Sequence, residues 1–157
     1  MRKRRIVAGI LLSLVGVAPA AAALPPPPLE AQAVVVRTFV NGVGDGVPYR
    51  VGYIGGSSGG AGFGQSKVVA KHKITNDEIA EAVVRSPQKV EQQGNVWVHE
   101  KEARLVSLFG DDERLTVRAV INYGSWLGEG RQGVVTAYCV GYNPECPEWV
   151  NTAFAVD

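Results

Sequence analysis

The chain has 157 residues, 46% hydrophobic and 20% charged, with 16 Lys and Arg against 15 Asp and Glu for a formal net charge of +1. That length supports one domain with its own hydrophobic core. The near balance of charge excludes a chain drawn as a whole to nucleic acid or anionic membrane, so any polyanion site must be a local patch.

At the N-terminus, Arg2, Lys3, Arg4 and Arg5 precede an apolar run from Ile6 to Val17, and small residues fill Ala18 to Ala23. This is the pattern of a signal peptide, and the run is too short to span a bilayer. Residues 1–23 are therefore read as a cleaved leader, with a mature chain starting near Leu24, secreted and free of the membrane after cleavage. Removal of the four leader cations leaves twelve Lys and Arg against fifteen Asp and Glu, a formal net charge of −3. Residues 24–32 form a Pro-rich linker, since Pro25 to Pro28 favour an extended polyproline stub.

The short β-branched run Ala33 to Val40 predicts a strand. Asn41 to Gly64 carries ten glycines and no sustained periodicity, so it is read as irregular, with a short strand at Tyr49 to Ile54. Within it, Gly55 to Gly64 lacks the Gly-Lys-Ser/Thr ending of a phosphate-binding loop and is read as a flexible loop. Residues 33–64 thus form a strand and Gly-rich region, ahead of an α+β core over 65–157, with 33–157 making one domain.

Gln65 to His72 predicts a short helix with Val68, Val69 and His72 on one side. A second helix starts at Thr75, where Thr75 and Glu78 have the spacing of a capping box and Ile74 and Ile79 that of a hydrophobic staple. It ends near Val84 or Arg85, before Pro87, with Ile79, Ala82 and Val83 as its apolar stripe. After Pro87 the period changes to two. Lys89 to Gln92 and Val96 to His99 flank a turn at Gln93 to Asn95, Arg104 to Phe109 and Arg114 to Tyr123 flank one at Gly110 to Glu113, and Gln132 to Val140 adds a further strand. The fold class is α+β: one or two short helices packed on an antiparallel meander of about four to five strands.

Alternation separates the sheet faces. Leu115, Val117, Ala119 and Ile121 point one way, and Arg114, Thr116 and Arg118 the other. On the last strand, Val135, Ala137 and Cys139 oppose Thr136 and Tyr138. Cys139 and Cys146 are the chain's two cysteines. In an exported protein they predict a disulfide, and their spacing does not match a zinc knuckle, so no metal and no cofactor are assigned.

The run Gly62 to Lys73, a capped helix and a meander ending in Val134 to Tyr138 together resemble the small metal-independent endoribonuclease toxins of bacteria, the RelE, barnase and colicin-like group, over about Gly62 to Val140. The resemblance implies a helix-then-sheet domain that cuts RNA with side chains displayed on the sheet and the preceding helices. Such chemistry needs a base for the 2′-hydroxyl, an acid for the leaving 5′-oxygen and cations beside the phosphorane. His72 and His99 are the candidates for base and acid, because imidazole titrates near neutrality. Lys71, Lys73 and Arg118 are candidates to hold the phosphate, and Thr136 or Tyr138 to orient it.

Each candidate also has a plainer account. His72 is then a solvated turn, His99 a strand-end surface residue, Arg118 a cross-strand charge partner, and Thr136 and Tyr138 good strand formers. An alternative function is a non-enzymatic secreted binding or inhibitory module, with Trp97, Trp126, Trp149, Tyr123, Tyr138 and Tyr142 as aromatic anchors for a protein partner. No Ser-His-Asp order, HExxH motif or paired-carboxylate spacing points to other hydrolases, and Asp111 to Glu113 reads as a solvated turn.

Overall fold

Glycine and proline in the first half of the chain, and alternation in the second, divide it into hairpins and a sheet. The computed structural model describes residues 26–55, 61–106 and 110–155. The expected leader, the centre of the Gly-rich run and the end of the expected strand at Phe109 lie outside these. In chain order the elements begin with helix α1 (Leu29–Ala33) and strands β1 (Val35–Val40), β2 (Gly46–Arg50), β3 (Tyr53–Gly55) and β4 (Ala61–Phe63). Helices α2 (Gly64–His72) and α3 (Asp77–Arg85) follow, then strands β5 (Lys89–Gln93), β6 (Val96–Leu105), β7 (Glu113–Ser125) and β8 (Arg131–Cys139). A 3₁₀ turn (Glu148–Thr152) and strand β9 (Phe154–Ala155) close the described chain.

The class is α+β with antiparallel sheets, as the pattern predicts. Strands β5, β6, β7 and β8 are neighbours in that order, and β9 pairs with β6 on the edge that β5 leaves uncovered. Strand β6 is continuous where two segments are expected. Its charged middle lacks apolar alternation, and cross-strand ion pairs of Glu100 with Arg118 and Glu102 with Arg114 hold it to β7 instead.

The region expected to be irregular supplies β2, β3 and β4, which form two hairpins, β2 with the expected strand β1 and β3 with β4, and the strand expected at Tyr49 to Ile54 is divided between β2 and β3. Asn41 closes the first: its Oδ1 accepts the amides of Val43 at 3.1 Å and Asp45 at 2.8 Å, and Gly44 takes φ of 89°. Its strands are too short and too interrupted by Gly46 and Pro48 to show a period, yet Phe39, Val47 and Tyr49 are fully buried. The expected linker also ends early, because α1 starts directly after Pro28, whose own φ of −51° and ψ of 149° are extended.

Helix α3 is capped one residue later than expected. Asn76 is the N-cap, its side chain accepting the Glu78 amide at 3.0 Å, whereas the Thr75 amide donates to Asn151 Oδ1 at 2.7 Å. A side chain from the distant 3₁₀ turn thus takes the partner that a local capping box would have supplied. The buried residues of α3 are Ile79, Ala80, Val83 and Val84, so Ala80 and Val84 replace Ala82 in the apolar stripe.

Helix α3 packs on β6 and β7, facing the fully buried Val117, Ala119 and Ile121. On β8 the register slips between the Val120–Thr136 and Ile121–Val134 pairs. This bulge puts Val134, fully buried, in the place expected of Val135 and leaves Ala137 and Cys139 on the core face. Strand β2 closes over β8 at Gly133, where a Cβ would meet the Pro48 carbonyl oxygen at 1.8 Å.

This close approach makes Gly133 a sensitive position. Gly133→Ala should cost at least about 2 kcal/mol in urea unfolding, from backbone clash added to its φ of +86°. Gly128→Ala, with φ of +84° but open space around it, should cost about 1 kcal/mol. Equal midpoints for the two variants would show that β2 does not press on β8 in solution.

Candidate functional site

Helical spacing places Lys67 and Lys71 one turn apart on α2, with His72 as its last residue. Lys73 ends the helix in the left-handed conformation, φ of 58°, donating its amide to the Val69 carbonyl at 3.1 Å. Helix α2 lies along β8, so these side chains meet Thr136 and Tyr138. The expected disulfide joins Cys139 to Cys146. It turns the chain back after β8 and brings the loop Val140 to Asn143 against the same space. The result is an open cleft of about 550 Å³ between α2, β8 and the disulfide loop.

The loop also grips His72 directly. The Cys146 amide donates to the His72 carbonyl at 3.0 Å, and the Pro144 carbonyl oxygen lies 2.7 Å from His72 Nδ1. A carbonyl can only accept, so Nδ1 carries the proton and, in neutral imidazole, Nε2 keeps the lone pair. Burial holds the His72 pKa below its ordinary value, with the charges of Lys71 and Lys67 acting in the same direction and the Pro144 contact opposing them. His72 as a residue is 7% exposed, and its ring lies 5.7 Å from the Tyr138 ring, centroid to centroid.

Burial and then the neighbouring Lys71 lower the pKa of Lys67, whose Nζ donates to the Gly62 carbonyl at 3.3 Å. Thr136 is buried, and its Oγ1 has no hydrogen-bond partner among the described residues. Tyr138 receives a 3.4 Å hydrogen bond from Arg118 Nη1. Arg118 Nε donates to Glu100 Oε1 at 2.7 Å, and the contacts with Tyr138 and Glu100 raise the guanidinium pKa.

Of the residues picked from the sequence, His72, Lys71, Thr136 and Tyr138 share one cleft. Arg118 stands one contact behind them, through the Tyr138 hydroxyl. Lys73 lies outside the lining and pairs with Glu145 at 3.8 Å. His99 lines a different cavity on β6, bonded to the Ser86 carbonyl. Lys67 was missed, although its i, i+4 spacing to Lys71 on an expected helix was a usable signal. The Pro144 carbonyl carries no sequence signal, because a backbone group contributes through fold alone.

The aromatic residues considered for a binding surface are largely engaged within the fold. Trp126 packs 4.8 Å from Phe63 with the Arg50 guanidinium carbon 5.8 Å from its ring, Trp97 lies 4.8 Å from Tyr123, and Trp149 packs against the core. Tyr142, 47% exposed, stands at the cleft. Among the described residues, no group of three or more His, Cys, Asp or Glu could hold a metal ion, and no helix is long and apolar enough to cross a membrane. No protein-family model matches the chain, and no curated protein or solved structure matches it.

Two measurements test this geometry. By NMR, His72 should titrate below the ordinary imidazole value of about 6.5, with the proton of the neutral ring on Nδ1. A folded pKa below the unfolded one means that the unfolded chain binds the proton more readily. The contribution of His72 to stability should therefore be complete above about pH 6.5 and fall away as pH drops through the folded pKa. A titration at or above the ordinary value would contradict the buried environment. Reduction of the disulfide, whose cysteines are 7 apart in sequence, should lower stability by about 2.5 kcal/mol in urea. An unchanged midpoint would mean that the loop holds its place without the bond.

Proposed function

We propose that the chain is an exported, metal-independent ribonuclease-like domain acting on RNA phosphodiesters through the cleft between α2 and β8. The observation that carries this reading is the held tautomer of His72 beside two lysines in one cleft. The leader-like N-terminus and the disulfide support an oxidising destination.

In this mechanism His72 Nε2 takes the proton from a ribose 2′-hydroxyl. The 2′-oxygen then forms a bond to phosphorus as the bond from phosphorus to the 5′-oxygen breaks, leaving a 2′,3′-cyclic phosphate. A neutral imidazole at working pH is what a general base requires, and burial beside like charge supplies it. Lys71 and Lys67 stabilise the charge on the phosphorane. Tyr138 gives its proton to the departing 5′-oxygen. Arg118, already bonded to that phenol oxygen, stabilises the phenolate that results.

The test is cleavage of a fluorescent RNA by the purified chain with EDTA present. His72→Asn retains a donor for the Pro144 carbonyl but no base, so it should lower kcat at least about a hundredfold while leaving Tm within a few degrees. Lys71→Ala should raise KM, and Lys73→Ala, outside the cleft lining, should change neither constant. In the wild type, cleavage should rise with pH through a limb centred below about 6.5, as His72 loses its proton. Undiminished cleavage in His72→Asn removes His72 from the mechanism, and absence of cleavage in the wild type removes the reading.

A further inference from the structure

The cleft takes its charge and hydroxyls from a helix and a strand, but the direction of the His72 ring comes from a segment of a different kind. Residues 140–145 follow β8, and every one of them is exposed, so no buried side chain seats them. Among the described residues, the Val140 amide donates to the Thr116 carbonyl at 2.9 Å and the Tyr142 amide to the Cys139 carbonyl at 3.2 Å. Further along, the Pro144 carbonyl meets His72 Nδ1, and Glu145 pairs with Lys73 at 3.8 Å, both side chains being more than half exposed. A hydrogen bond contributes, net, about what it costs to fix the backbone of one residue, and an exposed ion pair contributes less. These contacts do not order six exposed residues by themselves.

The remaining restraint is the disulfide, which closes the segment into a loop with its ends 7 residues apart and so limits the freedom the segment would otherwise regain. On either side the chain is held without that bond. Cys139 pairs with Val117 of β7, and Val150 is fully buried. Asn151 accepts the Thr75 and Asn76 amides at 2.7 and 3.2 Å and donates to the Lys73 carbonyl at 2.9 Å. Without the disulfide, α2, β8 and the 3₁₀ turn therefore keep their places while the segment between them opens. Lys71, Thr136 and Tyr138 stay in the cleft, and only the carbonyl that directs His72 leaves it.

We propose that formation of the Cys139–Cys146 disulfide switches the cleft on: the oxidised loop holds the Pro144 carbonyl against His72, and the reduced chain folds with the same cleft side chains around an undirected ring. In the switching step the two thiols pass two protons and two electrons to a disulfide donor. The donor's S–S bond breaks to two thiols as the Cys139–Cys146 bond forms. A neutral imidazole that has lost Pro144 shares its proton between the two nitrogens, and the form protonated on Nε2 has no lone pair there to accept a hydroxyl proton. The switch rests on the ribonuclease reading for its consequence, a chain inactive toward RNA in a reducing compartment and active where disulfides persist. The held ring itself does not depend on that reading.

The experiment compares the oxidised chain, the chain refolded in excess dithiothreitol, and the double variant Cys139→Ala with Cys146→Ala. Nitrogen NMR of the His72 ring reads the tautomer, cleavage of a fluorescent RNA reads activity, and the signals of Val117, Ala119 and Ile121 report that the core is folded. The oxidised chain should carry the His72 proton on Nδ1 alone. Both forms without the bond should show a folded core, a proton shared between Nδ1 and Nε2, and a kcat lower by about tenfold or more. Gly128→Ala, a strained substitution in a turn that does not line the cleft, should leave ring and cleavage unchanged, which separates the switch from general destabilisation. A folded chain without the bond that keeps its proton on Nδ1, or cleaves as the oxidised chain does, overturns the proposal. Loss of the core signals in both forms overturns it too, since the switch requires a folded off state. If the oxidised chain cuts no RNA, the ribonuclease reading falls and the ring decides alone: a proton that leaves Nδ1 on reduction upholds the switch, and an unchanged ring overturns it.

Discussion

The two-sided use of β7 is the constraint on which the rest of the structure depends. One face, Val117, Ala119 and Ile121, is fully buried under α3, and a slip of one residue would turn these side chains outward. Pairing with β6 on one edge and β8 on the other transmits that choice across the sheet. The bulge on β8 then matters for chemistry as well as packing. It seats Val134 in the core while Thr136 and Tyr138 pair with Val120 and Arg118 on the opposite face.

The cleft joins a helix end, a strand and a short disulfide loop, and each adds a different physical ingredient. Helix α2 brings charge, with two ammonium groups near the terminal imidazole. Strand β8 brings hydroxyls, one buried with no partner among the described residues and one in contact with a guanidinium. The loop brings direction, because the Pro144 carbonyl selects which nitrogen of His72 carries the proton. Burial and like charge together outweigh the Pro144 contact and keep the ring neutral. The second histidine meets the same kind of constraint from Ser86, but in an aromatic cavity beyond β7.

Much of the second half of the chain was legible because strong alternation agrees with the final packing. Val117, Ala119 and Ile121 are buried as their period of two predicts. Helix α2 ends at His72 as read, and the disulfide joins the two cysteines expected to pair. The first half was harder to read. Phe39, Val47 and Tyr49 form part of the core from strands too short and too rich in glycine and proline for periodicity to emerge. The N-cap of α3 moved from Thr75 to Asn76 because Asn151, 76 residues away from Thr75, supplies the bond to its amide.

By itself the sequence determined the α+β class, the approximate helices and strands, the buried face of β7, the cysteine pair, and the residue types from which a cleft could be built. These follow from local periodicity, capping chemistry and cysteine count, which act over a few residues or through composition. Only the tertiary structure decided that Lys71, His72, Thr136 and Tyr138 share one cleft with Lys67, and that His99 lies apart from them. It alone decided which nitrogen of each histidine carries the proton. Those outcomes depend on strand order, on a one-residue bulge and on two backbone carbonyls, and the pattern of side chains along a chain encodes none of them directly.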